Sequence, residues 1–353
     1  HPYATSFPLK NMMAKKDKIE VSKVSSVNSM ADIKPKGMNH HLLWTNSKCT
    51  ELVVCNPTNI SKLDLKTNTC TQVQMDAPKD PNSNWYNLVK YGNYSVLFPR
   101  DKQPNVYLQD KFFGVLAPTF TPKCSNSLCT STGVVIEGPL LYYLAQGSKL
   151  AYFNLTRAID ALAASKEVVE ADTVYANVLM CCRIRNGAVA VARQEGVIEV
   201  LEKEGKVDMK KKPDDKCSFS AMAAHNKWLV AGLFTSTTSD QNKTVELALV
   251  DQNNWKITDR IVENNSRETS EYHKIRFVPI EKVLYLVASK LVINVGLYAV
   301  QNGKMHEMIK QPEICTNCLW TFELRVVKNK RKYSLELFFG SMNGIDKIVF
   351  ANV

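Results

Sequence analysis

Two lysine-rich clusters are the residues of this sequence best suited to contacting a charged partner. They are Lys210–Lys212 and the run formed by Lys328, Lys330, Arg331 and Lys332. Ammonium and guanidinium groups bind phosphates and carboxylates, so these seven residues are the candidate partner-binding residues. Both clusters are predicted to lie in turns between strands, where solvated lysines without a partner are also common. They form one phosphate-contacting patch only if the fold brings them to one face.

Other basic residues add to this picture. Lys15–Lys18 form a third cluster near the start of the chain, and Arg183, Arg185 and Arg193 are predicted on neighbouring strands. The net charge of +11 favours acidic partners such as an acidic protein or nucleic acid. Aromatic residues near the clusters are few, which argues against extensive base stacking.

Residues for catalysis or metal binding are sparse. Cys315 and Cys318 form a Cys-x-x-Cys pair, and Cys124 and Cys129 are the nearest formal second pair for zinc. Their predicted positions are too far apart for one ion. The six histidines are scattered, and neither a Gly-rich phosphate loop nor a Gly-x-Ser-x-Gly sequence is present. We therefore expect no catalytic residue, no cofactor and no metal.

The ten cysteines are interpreted mostly as reduced thiols, because a chain of 353 residues builds a core without disulfides. This favours an intracellular protein, cytoplasmic or nuclear, with an organelle as a further option. Five Asn-X-Ser/Thr triplets keep a secreted alternative open. Residues 1–10 contain no apolar signal segment, although the missing initial Met leaves open the removal of an upstream targeting segment.

The elements that position these residues follow from a repeat. Pairs of short alternating strands around a turn recur at Ile60–Val73, Lys149–Leu162 and Val197–Lys210, and more weakly at Val245–Ile261 and Val292–Ile309. Seven third strands are predicted, 43 to 52 residues apart, centred on Leu65, Leu108, Phe153, Val200, Val250, Tyr298 and Phe350. This period is typical of a four-stranded β-propeller blade.

The predicted fold is therefore all-β, a seven-bladed β-propeller over residues 38–353 preceded by an arm over residues 1–37. The last blade lacks a fourth strand, and the alternating segment Lys18–Val24 is the available candidate to supply it and close the ring. The apolar window Val283–Val300 contains Lys290 at its middle, which favours two core strands over a membrane span.

Seven units of this length resemble the WD40-like propellers, and the turn Asp64–Asn68 is similar to that of kelch repeats. The repeats are divergent, because no Trp-Asp dipeptide ends a blade. The resemblance implies a non-catalytic scaffold that binds protein partners as a subunit of a larger complex. The alternatives are a nucleic-acid-associated propeller that uses the basic loops, and a secreted or lumenal propeller enzyme or ligand-binder.

Overall fold

The structure is a computed structural model. It describes sixteen segments of the chain, which are residues 19–28, 41–55, 60–73, 85–99, 103–109, 111–116, 133–145, 148–193, 197–201, 207–211, 218–235, 244–263, 271–290, 295–311, 322–341 and 344–353. Lys15–Lys18, Lys212 and the two predicted cysteine pairs lie outside these segments. The boundary between arm and propeller at residue 38 stays a prediction.

Seven small antiparallel sheets form a ring, which confirms the predicted seven-bladed β-propeller. Each sheet is a blade, and its strands are called a to d from the centre of the ring outward. In blades one to six the four strands follow one another along the chain, whereas blade seven takes its fourth strand from the start of the described chain.

The strands of blades one to three are β2 (His41–Trp44), β3 (Glu51–Cys55), β4 (Ile60–Asp64) and β5 (Thr69–Val73); β6 (Trp85–Tyr91), β7 (Tyr94–Pro99), β8 (Asn105–Leu108) and β9 (Lys111–Leu116); and β10 (Val134–Glu137), β11 (Leu140–Ala145), β12 (Lys149–Asn154) and β14 (Thr173–Tyr175). Those of blades four and five are β15 (Val178–Arg183), β16 (Val189–Arg193), β17 (Ile198–Leu201) and β18 (Val207–Lys211); and β19 (Ser218–His225), β20 (Trp228–Thr235), β21 (Thr244–Asp251) and β22 (Lys256–Glu263). Those of blades six and seven are β23 (Tyr272–Ile280), β24 (Val283–Lys290), β25 (Val295–Gln301) and β26 (Lys304–Gln311); and β27 (Phe322–Asn329), β28 (Lys332–Ser341), β29 (Gly344–Ala351) and β1 (Glu20–Asn28).

The burial of the strands explains the repeat in the sequence. Strands b and c are packed between neighbouring blades on both faces, so β21 is buried from Val245 to Val250. Strand d borders solvent, and β22 alternates between exposed and half-buried residues over Lys256–Glu263. A near-continuous apolar run followed by an alternating one is therefore the signature of each c–d hairpin.

The first c–d turn corrects one predicted position. Leu65, predicted at the centre of a strand, lies just after β4 in the turn. The Asp64 carboxylate accepts hydrogen bonds from the backbone N–H groups of Lys66 (2.7 Å) and Thr67 (3.2 Å), which bends the chain out of the strand. The same two bonds hold the pKa of Asp64 below its usual value.

The ring is closed by both ends of the described chain, as predicted. β1 pairs antiparallel with β29, with Glu20 opposite Ala351 and Val24 opposite Lys347. Ile19 and Val21 pack against the apolar cluster shared by blades six and seven. The closing strand extends to Asn28, beyond the predicted end at Val24, because the pairing resumes after a register irregularity.

Blade three carries an insertion between strands c and d. Helix α1 (Leu155–Ala163) lies in this insertion, and Asn154 caps it by accepting from the backbone N–H of Arg157 at 3.3 Å. The chain then forms β13 (Val168–Val169), which pairs parallel with β9 and becomes a fifth strand of blade two. Sequence reasoning missed this strand, which links blades two and three.

The apolar window Val283–Val300 forms β24 and most of β25, two core strands as predicted. In the described segments, no helix is long and apolar enough to cross a membrane.

Candidate functional site

The two faces of the ring differ in how fully the structure describes them. One face carries the a–b and c–d turns and is called the ab face. All seven a–b turns fall within the described residues, whereas each of the seven b–c turns contains residues outside them. The site is therefore built from the ab face and from the central channel that opens there.

Basic residues stand in five of the seven a–b turns. They belong to blades one, four, five, six and seven and are Lys48, Arg185, Lys227, Lys282 and Lys330. All five residues are exposed to solvent. We call the basic residues at these turns the positive ring; in the blade-six turn Glu281 stands beside Lys282 and offsets part of its charge.

The second predicted basic cluster belongs to this ring. Lys328 is the second-last residue of β27, Lys330 and Arg331 form the turn, and Lys332 begins β28. The Lys328 ammonium lies 5.1 Å from the centre of the Tyr333 ring, and a hydrogen bond with the Tyr333 hydroxyl raises the pKa of Lys328. The predicted turn is therefore correct for Lys330 and Arg331, whereas Lys328 and Lys332 lie in the two strands that flank it.

The cluster Lys210–Lys212 does not lie in a turn as predicted, as far as the structure describes it. Lys210 and Lys211 lie in strand β18 rather than in a turn, since their backbones pair with Glu199 and Ile198. An outermost strand faces solvent, which is why it accommodates lysines. Ile198 begins strand c, so Lys211 lies at the end of the blade opposite to the ab face. The two clusters are thus at opposite faces and do not form one patch.

The three arginines of blade four also separate. Arg193 ends strand b at the far face, where its guanidinium donates to Glu199 at 2.6 Å. Arg183 ends strand a, and Arg185 lies in the following turn, so both belong to the ab face. Only these two contribute to the positive ring.

The central channel opens on the ab face as a cavity of about 260 Å³, here called the channel mouth. Its walls come from the inner strands β10, β15, β19 and β23 of four successive blades. Blades three and six are not neighbours, so a cavity that touches both must lie near the ring axis. Val134, Ile136 and Phe277, which are partly exposed, give it an apolar wall, and Arg183, His225 and Arg276 give it a polar one. Met222 and Ile275 lie fully buried behind this surface.

Ion pairs between blades hold these arginines in place. Arg183 Nε lies 2.5 Å from the Glu137 carboxylate of blade three, and Arg276 lies 3.5 Å from Glu323 of blade seven. The Arg183 side chain remains 62% exposed, so most of its guanidinium faces solvent. The pairs orient the cations without burying them.

An arginine also links blade seven to blade one. Arg325 donates to Glu336 at 2.7 Å and to the carbonyl of Cys49 in the first a–b turn at 3.3 Å. Burial and the nearby Glu323 raise the pKa of the Cys49 thiol, against the opposing effect of Arg325. This thiol is therefore not activated as a nucleophile.

A second cavity of about 440 Å³ adjoins the channel mouth, and Arg183, Ala224 and His225 line both. It lies between the a–b turns of blades four and five. We call it the notch, and its lining residues are Arg183, Ile184, Arg185, Asn186, Gly187, Ala224, His225 and Asn226.

The turn that forms the notch is held in an unusual conformation. Asn186 and Gly187 both adopt left-handed backbone angles, with φ of 60° and 71°. A Cβ on Gly187 would lie 3.3 Å from the Glu137 carboxylate, so glycine allows the close approach of that side chain. Arg185 donates to the Asn253 amide oxygen at 2.5 Å and to the Gln252 carbonyl at 3.1 Å, which ties the turn to blade five.

No group of three or more His, Cys, Asp or Glu residues in the described part of the chain is placed to hold a metal ion. The cysteine pairs Cys124–Cys129 and Cys315–Cys318 lie outside it, so the expected absence of a metal site stays a prediction.

Sequence reasoning missed His225, Arg276 and Phe277 as members of the site. Each lies on an inner strand, and the three come from two blades. Aligning the seven predicted inner strands on their a–b turns could have found these residues. The inner strands line the channel, so residues at matching positions come together there.

Comparisons with solved structures agree with this architecture. A chain of the crystal structure of the Mitotic Checkpoint Complex is 10% identical, with 100% of this chain and 96% of that chain covered and a TM-score of 0.59. U3-55K is 10% identical, with 94% and 98% covered and a TM-score of 0.57. The N-terminal domain of Nup159 is 10% identical, with 95% and 96% covered and a TM-score of 0.57.

No protein-family model matches the chain, and no curated protein matches it by sequence. At 10% identity the structural matches establish the fold alone. The chain is a divergent seven-bladed β-propeller like the WD40-type propellers, as the repeat pattern predicted.

Proposed function

We propose that this protein is a non-catalytic scaffold whose propeller binds a protein partner at the channel mouth, as a subunit of a larger assembly. The observation that carries the proposal is the channel mouth itself, a concave surface built by four blades with an apolar wall beside arginines. Protein partners favour such a combination of an apolar centre and a polar rim. One structural neighbour is a chain of a named complex, the Mitotic Checkpoint Complex, which supports a role in assembly.

The rigidity of the ring supports the same function. Side-chain contacts cross from blade to blade around the channel, including Arg183 with Glu137, Trp44 with the Leu324 carbonyl (3.0 Å) and Lys274 with the Phe322 carbonyl (2.6 Å). A surface held in this way loses little conformational entropy on binding. The blade edges are paired or at the outside, so turns and channel remain as the docking surfaces.

The proposal is tested by affinity purification of the tagged protein from its own cells. Phe277→Ala removes an aromatic ring from the channel mouth and is expected to reduce the recovery of a stoichiometric partner. Phe112→Ala is the matched control, because it removes an exposed ring from outer strand β9. Wild-type protein that purifies alone, or equal recovery with both variants, contradicts the proposal.

A second candidate function is binding of nucleic acid by the ab face. It is favoured by the ring of basic a–b turns. Binding to a labelled single-stranded oligonucleotide should then weaken steeply as salt is raised, because phosphate contacts release counterions. A response that is flat with salt rules it out.

We also propose that the protein is intracellular and that its cysteines are reduced. The alternative is a secreted protein with disulfides. Cys49, Cys70 and Cys182 are free thiols. Titration of the denatured, unreduced protein should detect ten thiols. A markedly lower number indicates a disulfide framework and favours the secreted alternative.

A further inference from the structure

The notch has the charge and the donors of a binding site for a single carboxylate. Arg183 and Arg185 are its cationic lining residues, and Asn186, Asn226 and His225 add further polar groups. Guanidinium groups bind carboxylates through two parallel N–H bonds, a geometry that lysine cannot reproduce.

The net charge of the notch indicates which kind of anion it would bind. Glu137 pairs with Arg183, whereas the described partners of Arg185 are the neutral Asn253 amide and the Gln252 carbonyl. The two arginines and Glu137 therefore leave one net positive charge at the notch, which a carboxylate matches. Glu137 itself shows that a carboxylate can bind to Arg183 in this surrounding.

The notch also continues into the apolar part of the channel mouth. Arg183, Ala224 and His225 belong to both cavities, and the partly exposed Val134, Ile136 and Phe277 lie on the apolar side. A peptide with an acidic residue beside a large apolar residue would place one side chain in each cavity. A nucleic acid backbone would instead contact the basic turns around the whole ab face.

We infer that the notch binds an Asp or Glu carboxylate of an acidic segment in the docked protein partner, while an adjacent apolar side chain enters the channel mouth. This inference rests on the proposed function, because it names the chemistry by which the partner is recognised. It assigns Arg183 and Arg185 as the specificity-determining residues and Glu137 as an internal competitor for Arg183.

The test uses short fluorescein-labelled Gly-Ser peptides with a central Leu-Glu-Glu, Leu-Gln-Gln or Leu-phosphoserine, and an oligothymidylate of similar length. Fluorescence anisotropy should show binding of the Leu-Glu-Glu peptide and much weaker binding of the Leu-Gln-Gln peptide. R183Q/R185Q should weaken the Leu-Glu-Glu affinity about tenfold or more. K66Q/K111Q makes the same change in net charge at exposed positions by the c–d turns of blades one and two, on the same face but away from the notch, and should leave that affinity nearly unchanged.

A third variant shows whether weaker binding of the other variants could come merely from damaged folding. Glu137→Gln removes the internal carboxylate and is expected to tighten binding several-fold, a gain that a damaged fold cannot produce. The inference is overturned if Glu137→Gln does not tighten binding, or if both double variants weaken it equally. Preferred binding of the phosphoserine peptide or of oligothymidylate overturns it as well.

The outcome is separable from that of the proposed function. If Phe277→Ala abolishes partner recovery while R183Q/R185Q has no effect on peptide or partner, the scaffold function stands and the carboxylate site falls. If the Leu-Glu-Glu peptide binds as expected but Phe277→Ala retains the full partner, the site stands and the channel-mouth scaffold falls.

Discussion

At the residue scale, burial decides which reactive side chains can act. Cys181 and Cys182 are adjacent and both fully enclosed in the core of blade four. Burial raises the pKa of the Cys182 thiol to about 12 and raises that of Cys181 as well. Because the thiolate is the reactive form, both thiols are inert near neutral pH.

We predict that these two cysteines resist alkylation in the native state at pH 8, while Cys49, which is half-buried in the first a–b turn, reacts. Iodoacetamide labelling with peptide mapping by mass spectrometry checks the prediction. Denaturant should make all three react at similar rates. Fast labelling of Cys182 in the folded protein would show that blade four opens readily.

Glu336 is a residue-scale test of the charge pairs around the channel. Its carboxylate accepts from Arg325 at 2.7 Å and from the Lys347 ammonium at 2.8 Å, and it is largely buried. Glu336→Ala leaves two partly buried cations without their anion, so it should lower the free energy of unfolding by about 2–3 kcal/mol after allowance for their partial exposure.

Urea unfolding measures this change. Glu170→Ala, which removes an exposed carboxylate, is the control and should have little effect. A Glu336→Ala protein as stable as the control would mean that Arg325 and Lys347 find water or other partners at no cost.

At the element scale, the closing strand β1 offers two neighbouring positions with different surroundings. Val21 packs against the apolar cluster of blades six and seven, whereas Ser22 is exposed on the same strand. Val21→Asp should therefore cost roughly 2 kcal/mol of unfolding free energy, because the carboxylate would lie against apolar side chains. Ser22→Asp, the matched control, should cost far less.

Thermal and urea unfolding of the two variants give the comparison. Equal stabilities would show that β1 contributes through its backbone pairing alone and that its side chains add nothing.

At the scale of the whole molecule, closure removes an exposed sheet edge. Without residues 1–30, strand β29 would present unpaired N–H and C=O groups to solvent. We predict that this deletion lowers the melting temperature and causes concentration-dependent self-association. Calorimetry and light scattering measure the two effects, and a deletion variant that melts like the intact chain and stays monomeric would contradict them.

The whole ring also decides which basic residues act together. Lys328–Lys332 lies on the ab face with Lys48, Lys227 and Lys282, whereas Lys211 lies toward the other face. Both clusters look alike in the sequence, since each is a short run of lysines. The antiparallel alternation of strands within a blade separates them, because a position near the end of strand d is one strand length away from the a–b turn.

The sequence by itself determined most of the strands, their grouping into seven blades and the missing fourth strand of the last blade, but not the inserted strand β13. Alternation of apolar and polar residues is a local property that each strand carries in its own residues, so it can be read without a fold. The tertiary structure alone decided the channel mouth and the notch. Glu137, Arg183, His225 and Arg276 come from four different blades, and only the closure of the ring brings these distant positions to one axis.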